Sequence, residues 1–288
     1  ILNPGDEVLI PAPYWVSYPP MVQLAGGTPV IVPLKEENNF DFDPAVLAQY
    51  VSPKTKAIVL NSPSNPTGAV FSQESLIAVA KMAYDNGWLV ITDDMYEEIT
   101  YAEGKLPHIL HADSRLRDQT ILSNGVSKSF AMTGWRIGWS VGPMAVIKAM
   151  NKIQSQSTSN PAAPSQYAAL AALTGPQDFP RQLLEAFIPR RAFFVEALRS
   201  IPGVSCVNPM GAFYVFPNFS AYYGKSFNGE VIEGSVALAD YLLSEAKVAT
   251  VPGAAFGADA FIRFSFATSM DVIQKGMERI TAALAELR

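Results

Sequence analysis

Short apolar runs alternate with amphipathic stretches along the first half of the chain. Runs rich in Val, Ile and Leu predict strands at residues 7–11, 29–34, 57–61, 89–92, 120–123 and 137–141. Their nearly continuous apolar character is typical of strands that are covered on both faces, as in a parallel sheet. The stretches between them are helix-like, and one predicted helix has Ser72 as its N-cap and ends at Gly87. Strands that alternate with helices predict an α/β domain.

The pattern changes from about Asn151 onward. Helices are predicted at 165–173, 179–201, 236–245 and 270–287, and strands at 213–216 and 262–266. Clustered strands with helices to one side favour a smaller α+β unit. We therefore predict a large α/β domain over 1–185, with a mostly parallel central sheet, and a small C-terminal α+β domain over 186–288.

Composition and charge exclude several classes of function. The 288 residues are 49% apolar and 16% charged, and the net charge of −5 comes without any basic run, so the electrostatic footprint of nucleic-acid binding is missing. No apolar run approaches the roughly 18 residues that span a bilayer. The single cysteine, Cys206, cannot form an internal disulfide, which fits a reducing compartment. We expect a cytoplasmic protein that binds neither membrane nor nucleic acid.

Lys128 has the surroundings of a Schiff-base lysine. It follows the predicted strand at 120–123, lies between Ser127 and Ser129, and precedes Arg136 by eight positions. A lysine at the end of a buried strand, beside small hydroxyl residues and a second cation, indicates a covalent lysine next to a phosphate site. An ordinary surface lysine is the alternative, so the interpretation depends on whether other segments supply the rest of such a site.

Two further motifs follow predicted strands, at the edge where ligands of open α/β sheets bind. Asn65 begins the sequence Asn-Pro-Thr-Gly, a rigid loop in which its amide can both donate and accept. Asp93 could hold a protonated pyridine nitrogen, and Tyr96 could donate a hydrogen bond to an oxygen on the same ring. The alternatives are a plain turn for the first motif, and a helix-capping aspartate with a packing tyrosine for the second.

Trp15 and Arg263 are the two remaining candidates. Trp15 follows the first predicted strand and could stack on a pyridine ring, although a tryptophan in a core is commoner. Arg263 interrupts the apolar strand at 262–266, so it must have a partner or face a cleft. Its planar fork matches a carboxylate, which points to an amino-acid substrate, and a structural salt bridge is the alternative. Together with Lys128, these motifs predict a pyridoxal-phosphate site.

No metal is predicted, because no His, Cys, Asp and Glu cluster has the spacing of metal ligands. His108 and His111 follow the Tyr96 motif in a polar stretch. Both are interpreted as surface loop residues rather than catalytic groups.

The order of the motifs resembles that of the class I/II aminotransferases, which are fold-type I pyridoxal-phosphate enzymes. The resemblance extends over essentially all 288 residues and is carried by Asn-Pro-Thr-Gly at 65–68, Asp93 with Tyr96, Ser127-Lys128 with Gly-Trp-Arg-Ile-Gly at 134–138, and Arg263. The run Pro-Tyr-Trp-Val-Ser-Tyr at 13–18 and the Lys128 region are most similar to the bacterial-type aspartate branch. That branch includes aspartate/prephenate aminotransferases.

The resemblance implies a role for each candidate residue. Lys128 would carry the cofactor and shuttle a proton between the substrate Cα and the cofactor C4′, with its pKa lowered by desolvation and by Arg136. Asp93 would pair with the pyridinium nitrogen and Tyr96 with the ring oxygen. Arg136 with Ser127 would bind the phosphate, and Trp15 would stack on the ring beside the substrate. Arg263 with Asn65 would bind the substrate α-carboxylate, and Asn65 would also lie near the ring oxygen of the cofactor.

The resemblance also implies the reaction and the assembly. Aspartate is the expected amino donor and 2-oxoglutarate the expected 2-oxo-acid acceptor. The alternatives are an aromatic or alanine aminotransferase, a related fold-type I lyase, and a non-catalytic aminotransferase-like sensing domain. Family members are mostly homodimers, as we expect for a full-length parent. They usually carry a longer N-terminal segment with a phosphate-binding loop and a tyrosine that crosses the dimer interface, so we expect sequence upstream of Ile1.

Overall fold

The computed structural model describes residues 1–102 and 104–288. The strands in this part are β1 (Glu7–Ala12), β2 (Thr28–Pro33), β3 (Thr55–Asn61), β4 (Leu89–Asp93), β5 (Thr120–Gly125), β6 (Gly138–Val141), β7 (Tyr214–Val215), β8 (Ser226–Phe227), β9 (Glu230–Val231), β10 (Val251–Pro252) and β11 (Ile262–Ser265). The α-helices are α1 (Tyr18–Leu24), α2 (Pro44–Ala48), α3 (Gln73–Asn86), α4 (Ile109–Ala112), α5 (Met144–Ser157), α6 (Ala163–Thr174), α7 (Asp178–Arg199), α8 (Ser235–Ser244) and α9 (Met270–Ala285). Every element predicted with bounds begins and ends within two residues of the observed one.

A six-stranded sheet in the order β2-β1-β3-β4-β5-β6 forms the centre of the N-terminal part. Strands β1 to β5 pair in parallel, whereas β6 pairs antiparallel with β5. The chain returns antiparallel because residues 126–137, which connect these two strands, contain no α-helix that could cross back over the sheet. The predicted α/β class and the mostly parallel central sheet are confirmed.

The strand order reverses at β1, which lies between β2 and β3. In open α/β sheets such a reversal leaves a crevice outside the carboxyl ends of the strands. Trp15, Asn65, Asp93 and Lys128 lie at, or within four residues after, the carboxyl ends of β1, β3, β4 and β5. Because these four strands are parallel, the candidate residues come to the same edge of the sheet.

The central strands are buried on both faces, as their apolar runs predict. On one face, Leu9 and Ile58 pack in a cluster with the buried side of α3. On the other face, Ile10 and Val59 pack with the buried residues of α1. Full burial of each such side chain contributes about 1.5–3 kcal/mol. This packing fixes α1 against the sheet and therefore fixes the loop that leads into it from β1.

The predicted ends of α3 are also confirmed. The Ser72 hydroxyl accepts a hydrogen bond from the backbone N–H of Ser75 at 3.1 Å, and Gly87 ends the helix in the left-handed conformation with φ 65°. The Ser75 hydroxyl donates to the Asp41 carboxylate at 2.6 Å. Ser75 thus ties the helix start to a neighbouring loop, where a full capping box would have a glutamate at this position.

The C-terminal part has its own core around a three-stranded antiparallel sheet, β10-β11-β7. Helices α7, α8 and α9 contribute buried side chains to this core, among them Leu198, Leu242 and Ile280. Tyr96, from the loop after β4, belongs to the same cluster. The division between residues 185 and 186 falls inside α7 and stays a prediction. In the described part of the chain, no helix is long and apolar enough to cross a membrane.

Candidate active site

One large cavity, of about 1130 Å³, opens at the carboxyl edge of the central sheet. Strand ends of the N-terminal part contribute most of its polar groups, and β11 contributes from the C-terminal part. All of the site residues predicted from the sequence line it, namely Trp15, Asn65, Asp93, Tyr96, Ser127, Lys128, Arg136 and Arg263. The fold therefore brings the whole predicted set into one place.

Lys128 lies half-buried in the turn that follows β5. Burial lowers the pKa of its amine, and the cations Arg136 and Arg263 lower it further, while Asp93 acts in the opposite direction. Its Nζ atom is 6.0 Å from the centroid of the Tyr96 ring. A lowered pKa leaves more of the amine uncharged near neutral pH, and the uncharged amine is the form that attacks a carbonyl carbon.

Asp93 is hydrogen-bonded through both of its carboxylate oxygens. The Tyr18 hydroxyl donates to Oδ2 at 2.6 Å, and the backbone N–H of Met95 donates to Oδ1 at 3.2 Å. Burial raises the pKa of Asp93, whereas both hydrogen bonds act to lower it. Tyr18 also lines the cavity, although it was not among the site residues predicted from the sequence.

Tyr96 is buried, and its hydroxyl lies 2.9 Å from the hydroxyl of Tyr214 on β7. Burial is the main cause that raises the pKa of Tyr96, so this phenol keeps its proton at ordinary pH. Tyr214 lines the cavity too and is a second site residue that the sequence did not predict. The pair places a protonated hydroxyl at the cavity wall.

Arg263 is held by an amide and by two aromatic rings. Its Nη1 atom donates to Asn65 Oδ1 at 2.8 Å, and its guanidinium carbon lies 4.6 Å and 5.0 Å from the ring centroids of Tyr214 and Phe256. Within the part of the chain that the structure describes, no carboxylate lies within 4.0 Å of this guanidinium. The salt-bridge alternative therefore has no partner there, and the cation faces the cavity instead.

Asn61, the last residue of β3, joins two of the loops that carry site residues. Its Oδ1 accepts a hydrogen bond from the backbone N–H of Asn65 at 2.8 Å, and its Nδ2 donates to the backbone carbonyl of Asp93 at 2.9 Å. Asn61 is buried and lines the cavity. It fixes the positions of Asn65 and Asp93 relative to each other, a role that strand prediction alone did not suggest.

Trp15, Ser127 and Arg136 complete the cavity lining. Trp15 is half-buried and packs edge-on against Tyr18, with ring centroids 5.4 Å apart, so it lies at the cavity wall and not wholly in the core. Arg136 is exposed, adopts the left-handed conformation with φ 51°, and donates from Nη1 to the Thr133 carbonyl at 2.9 Å. A serine hydroxyl and a guanidinium are suitable donors to a phosphate.

His108 differs from the sequence interpretation, which made it a surface loop residue. It is half-buried as the N-cap of α4, where its Nδ1 accepts from the Leu110 N–H at 3.2 Å, and its Nε2 lies 3.3 Å from the buried carboxylate of Asp94. The interpretation was wrong because a polar sequence stretch does not show tertiary contacts. Across residues 1–102 and 104–288, no group of His, Cys, Asp and Glu is arranged to hold a metal ion.

The residues present fit pyridoxal phosphate. Lys128 offers an amine of lowered pKa for the cofactor aldehyde. Asp93 offers a carboxylate, fixed by two hydrogen bonds, for the protonated ring nitrogen. Tyr96 offers a protonated hydroxyl for the ring oxygen, and Arg136 offers a cation for the phosphate.

Comparison with known proteins agrees with this site. The family described as aminotransferase class I and II matches residues 1–280. An aspartate aminotransferase of Geobacillus stearothermophilus is 47% identical to this chain, and the match covers 97% of this chain and 70% of that protein. An aspartate/prephenate aminotransferase of Cereibacter sphaeroides is 48% identical, and the match covers 99% of this chain and 72% of that protein. The crystal structure of the aspartate aminotransferase from Rhizobium meliloti matches with a TM-score of 0.94 at 41% identity, over 100% of this chain and 72% of that one. The chain therefore belongs to the class I and II aminotransferases and is a pyridoxal-phosphate-dependent enzyme of fold type I.

Proposed function

We propose that this aminotransferase takes the amino group of L-aspartate and passes it to a 2-oxo acid, with 2-oxoglutarate as the acceptor. The proposal is carried by the observation that Lys128, Asp93 and Arg263 line the same cavity. The choice of aspartate is supported by the relatives, whose names specify aspartate, or aspartate and prephenate.

Lys128 has two tasks in this reaction. Its amine would hold the cofactor through the aldehyde, and the same amine, when free and uncharged, would act as a base. Bound pyridoxal phosphate supplies an electron sink that stabilises the negative charge developing at the substrate Cα. Lys128 would move the proton between Cα and the cofactor C4′, a kind of step that contributes about 10²–10⁴-fold. Arg136 and Arg263 assist because both lower the pKa of this amine.

Five residues orient the cofactor relative to Lys128. Asp93 would bind the protonated ring nitrogen and Tyr96 would donate to the ring oxygen. Ser127 and Arg136 would bind the phosphate, and Trp15 would stack on one ring face. Contacts at the nitrogen, oxygen and phosphate would together restrict the orientation of the ring. Orientation of this kind is a large part of catalysis, because it replaces a chance encounter by a fixed geometry.

Arg263 and Asn65 bind the substrate α-carboxylate. The guanidinium is oriented in advance, since Asn65 accepts one of its N–H groups and the rings of Tyr214 and Phe256 lie against it. Side chains that are already ordered lose less entropy when a ligand binds. A carboxylate held there directs Cα and its proton toward the base.

The transfer assay that tests the function uses a panel of amino donors at fixed 2-oxoglutarate. L-aspartate, L-alanine, L-phenylalanine and L-tyrosine are compared as donors, and glutamate formation gives kcat/KM for each, with the Lys128→Ala variant as the blank. Prephenate is then offered as an acceptor with aspartate as donor. We expect aspartate to have the highest kcat/KM in the panel.

Two results would contradict the proposal in different ways. A higher kcat/KM for alanine or for an aromatic donor would replace aspartate as the substrate and leave the reaction class in place. No Lys128-dependent glutamate from any donor would contradict the activity of this chain, and would favour the sensing-domain alternative.

We propose that the enzyme assembles as a homodimer through the exposed apolar side of α6. Tyr167, Leu170 and Leu173 are 74%, 56% and 47% exposed there. A contiguous exposed apolar patch is typical of an interaction surface.

Sedimentation velocity should give a dimer for the wild type, and Leu170→Glu should shift it toward the 31.2 kDa mass of one chain. Leu243→Glu, at an α8 residue of similar exposure (54%), should leave the dimer intact. A wild-type monomer, or equal effects of both variants, would contradict this interface.

We propose a cytoplasmic location. The single cysteine, Cys206, is buried, and burial raises the pKa of its thiol to about 12. Such a thiol is unreactive near neutral pH. A chain that uses no disulfide fits a reducing compartment.

A further inference from the structure

We propose that Tyr18 is a positioning residue, whose hydroxyl orients the Asp93 carboxylate and keeps it ionised for the cofactor ring nitrogen. The inference rests on the proposed role of Asp93 and adds a residue on which that role depends. It stands on a direct contact: the Tyr18 hydroxyl is 2.6 Å from Asp93 Oδ2, a distance typical of a hydrogen bond from a hydroxyl to a charged oxygen.

Tyr18 reaches Asp93 because α1 packs against the sheet. Tyr18 is the first residue of α1, its ring belongs to the cluster of Val8, Ile10 and Val59, and its hydroxyl bonds to Asp93, the last residue of β4. The ring is therefore anchored by apolar contacts, and only the oxygen meets the carboxylate. A phenylalanine at position 18 would make the same apolar contacts, so packing does not explain why the residue is a tyrosine.

The two donors to Asp93 approach different oxygens. Tyr18 binds Oδ2 and the Met95 N–H binds Oδ1, which fixes the rotation of the carboxylate about its Cβ–Cγ bond. Each oxygen of an ionised carboxylate has about two acceptor positions, so one at each oxygen remains for a cofactor N–H. A carboxylate that is ordered in advance binds such a donor at a lower entropic cost.

The Tyr18 hydroxyl also offsets the cost of burying the charge. Burial raises the pKa of Asp93 and the Asp94 charge acts in the same direction, whereas the Tyr18 hydrogen bond is the largest contribution that lowers it. If Asp93 gained a proton, it would no longer be a counter-charge for a pyridinium ring. Tyr18 itself remains a donor, because burial and the adjacent Asp93 raise the pKa of its phenol well above 10.

The first test measures Asp93 directly in the chain without cofactor. The carboxyl carbons of aspartate are labelled with ¹³C and titrated by NMR, and the Asp93 signal is identified by its loss in Asp93→Asn. Tyr18→Phe should raise the midpoint of this signal by about one pH unit, the size expected for a lost hydrogen bond to a charged group. Incorporation of 3-fluorotyrosine at position 18, a more acidic phenol and stronger donor, should lower it.

Tyr241→Phe is the matched control. Tyr241 is also a buried tyrosine, and its hydroxyl donates to the Ala283 carbonyl at 2.7 Å, in the core of the C-terminal part. The control loses the same atom from a comparable environment and should leave the Asp93 midpoint unchanged. An unchanged midpoint in Tyr18→Phe, or an equal shift in both variants, would overturn the proposal.

The second test uses the loaded enzyme. Tyr18→Phe should lower kcat about tenfold or more and leave KM for aspartate nearly unchanged, since the lost contact is to the carboxylate that holds the ring. A pyridoxal-phosphate analogue with carbon in place of the ring nitrogen should make wild type and Tyr18→Phe equally slow. A tenfold difference that persists with this analogue would mean that Tyr18 acts through packing, and would overturn the proposal.

The two tests separate this inference from the proposed function. A wild-type chain with no Lys128-dependent transfer would contradict the proposed activity, while the Asp93 titration would still decide whether Tyr18 controls the carboxylate. A wild type that transfers amino groups, together with an unmoved Asp93 midpoint in Tyr18→Phe, would contradict the inference alone.

Discussion

Replacement of Lys128 by alanine is expected to reduce kcat for aspartate by up to about 10⁴-fold, because the variant loses the base that moves the proton. It should also lose the absorption band that pyridoxal phosphate acquires when it is bound covalently to the protein. The spectrum is measured after addition of the cofactor and again after addition of aspartate. In the wild type the band should form and then shift on addition of the amino acid.

A surface lysine gives the matched control for this experiment. Lys148 is exposed on α5 and is absent from the cavity lining, so Lys148→Ala should keep both the band and the activity. A small primary amine added to Lys128→Ala should restore part of the lost rate, because it can replace the missing base in the open cavity. A band of equal intensity in Lys128→Ala would show that another lysine carries the cofactor and would remove Lys128 from the mechanism.

The central sheet could be predicted from the sequence because its strands are buried on both faces. Burial on both faces requires a run such as that of β3, in which Ala57 to Leu60 are all apolar and buried, and such runs are visible without knowledge of the neighbours. The direction of β6 could not be predicted in this way. The hydrophobic pattern of a strand does not show whether it pairs parallel or antiparallel with its neighbour. Residues 126–137 form a connection of about the minimum length for a parallel pair, so its length did not decide the direction of β6.

The candidate site was also largely visible in the sequence, because its residues follow strand ends. Asn65, Asp93 and Lys128 each lie in a short motif next to an apolar run. Because the strands before them pair in parallel, the three motifs meet at the same edge of the sheet. Tyr18 and Tyr214 were missed for the opposite reason. Their hydroxyl partners lie 75 and 118 positions away in the chain, so no local spacing shows the contact. Both residues line the cavity and hydrogen-bond to site residues through tertiary contacts, which only the folded structure shows.

Arg263→Leu is expected to lower kcat/KM for aspartate by about a thousandfold. Truncating one partner of a buried, hydrogen-bonded charge pair costs about 2–5 kcal/mol, and each 1.4 kcal/mol is a factor of ten. In this site the guanidinium is half-buried and points into the cavity, so the bound α-carboxylate would lose its counter-charge. Arg263→Lys keeps the charge and loses the planar fork, and it should fall between the wild type and Arg263→Leu. Initial rates over a range of aspartate concentrations give these values.

The substrate can be changed instead of the enzyme, which separates carboxylate binding from a general loss of structure. A primary amine that lacks the α-carboxylate has nothing for Arg263 to bind, so its slow reaction with the cofactor should have nearly the same rate in the wild type and in Arg263→Leu. Arg199 serves as the matched arginine, because its guanidinium donates to the Cys206 carbonyl at 2.7 Å and lies outside the cavity lining. Arg199→Leu should therefore affect both substrates alike. If Arg263→Leu slowed the simple amine as much as aspartate, the side chain would be acting on the fold or on Lys128 and would not be binding the carboxylate.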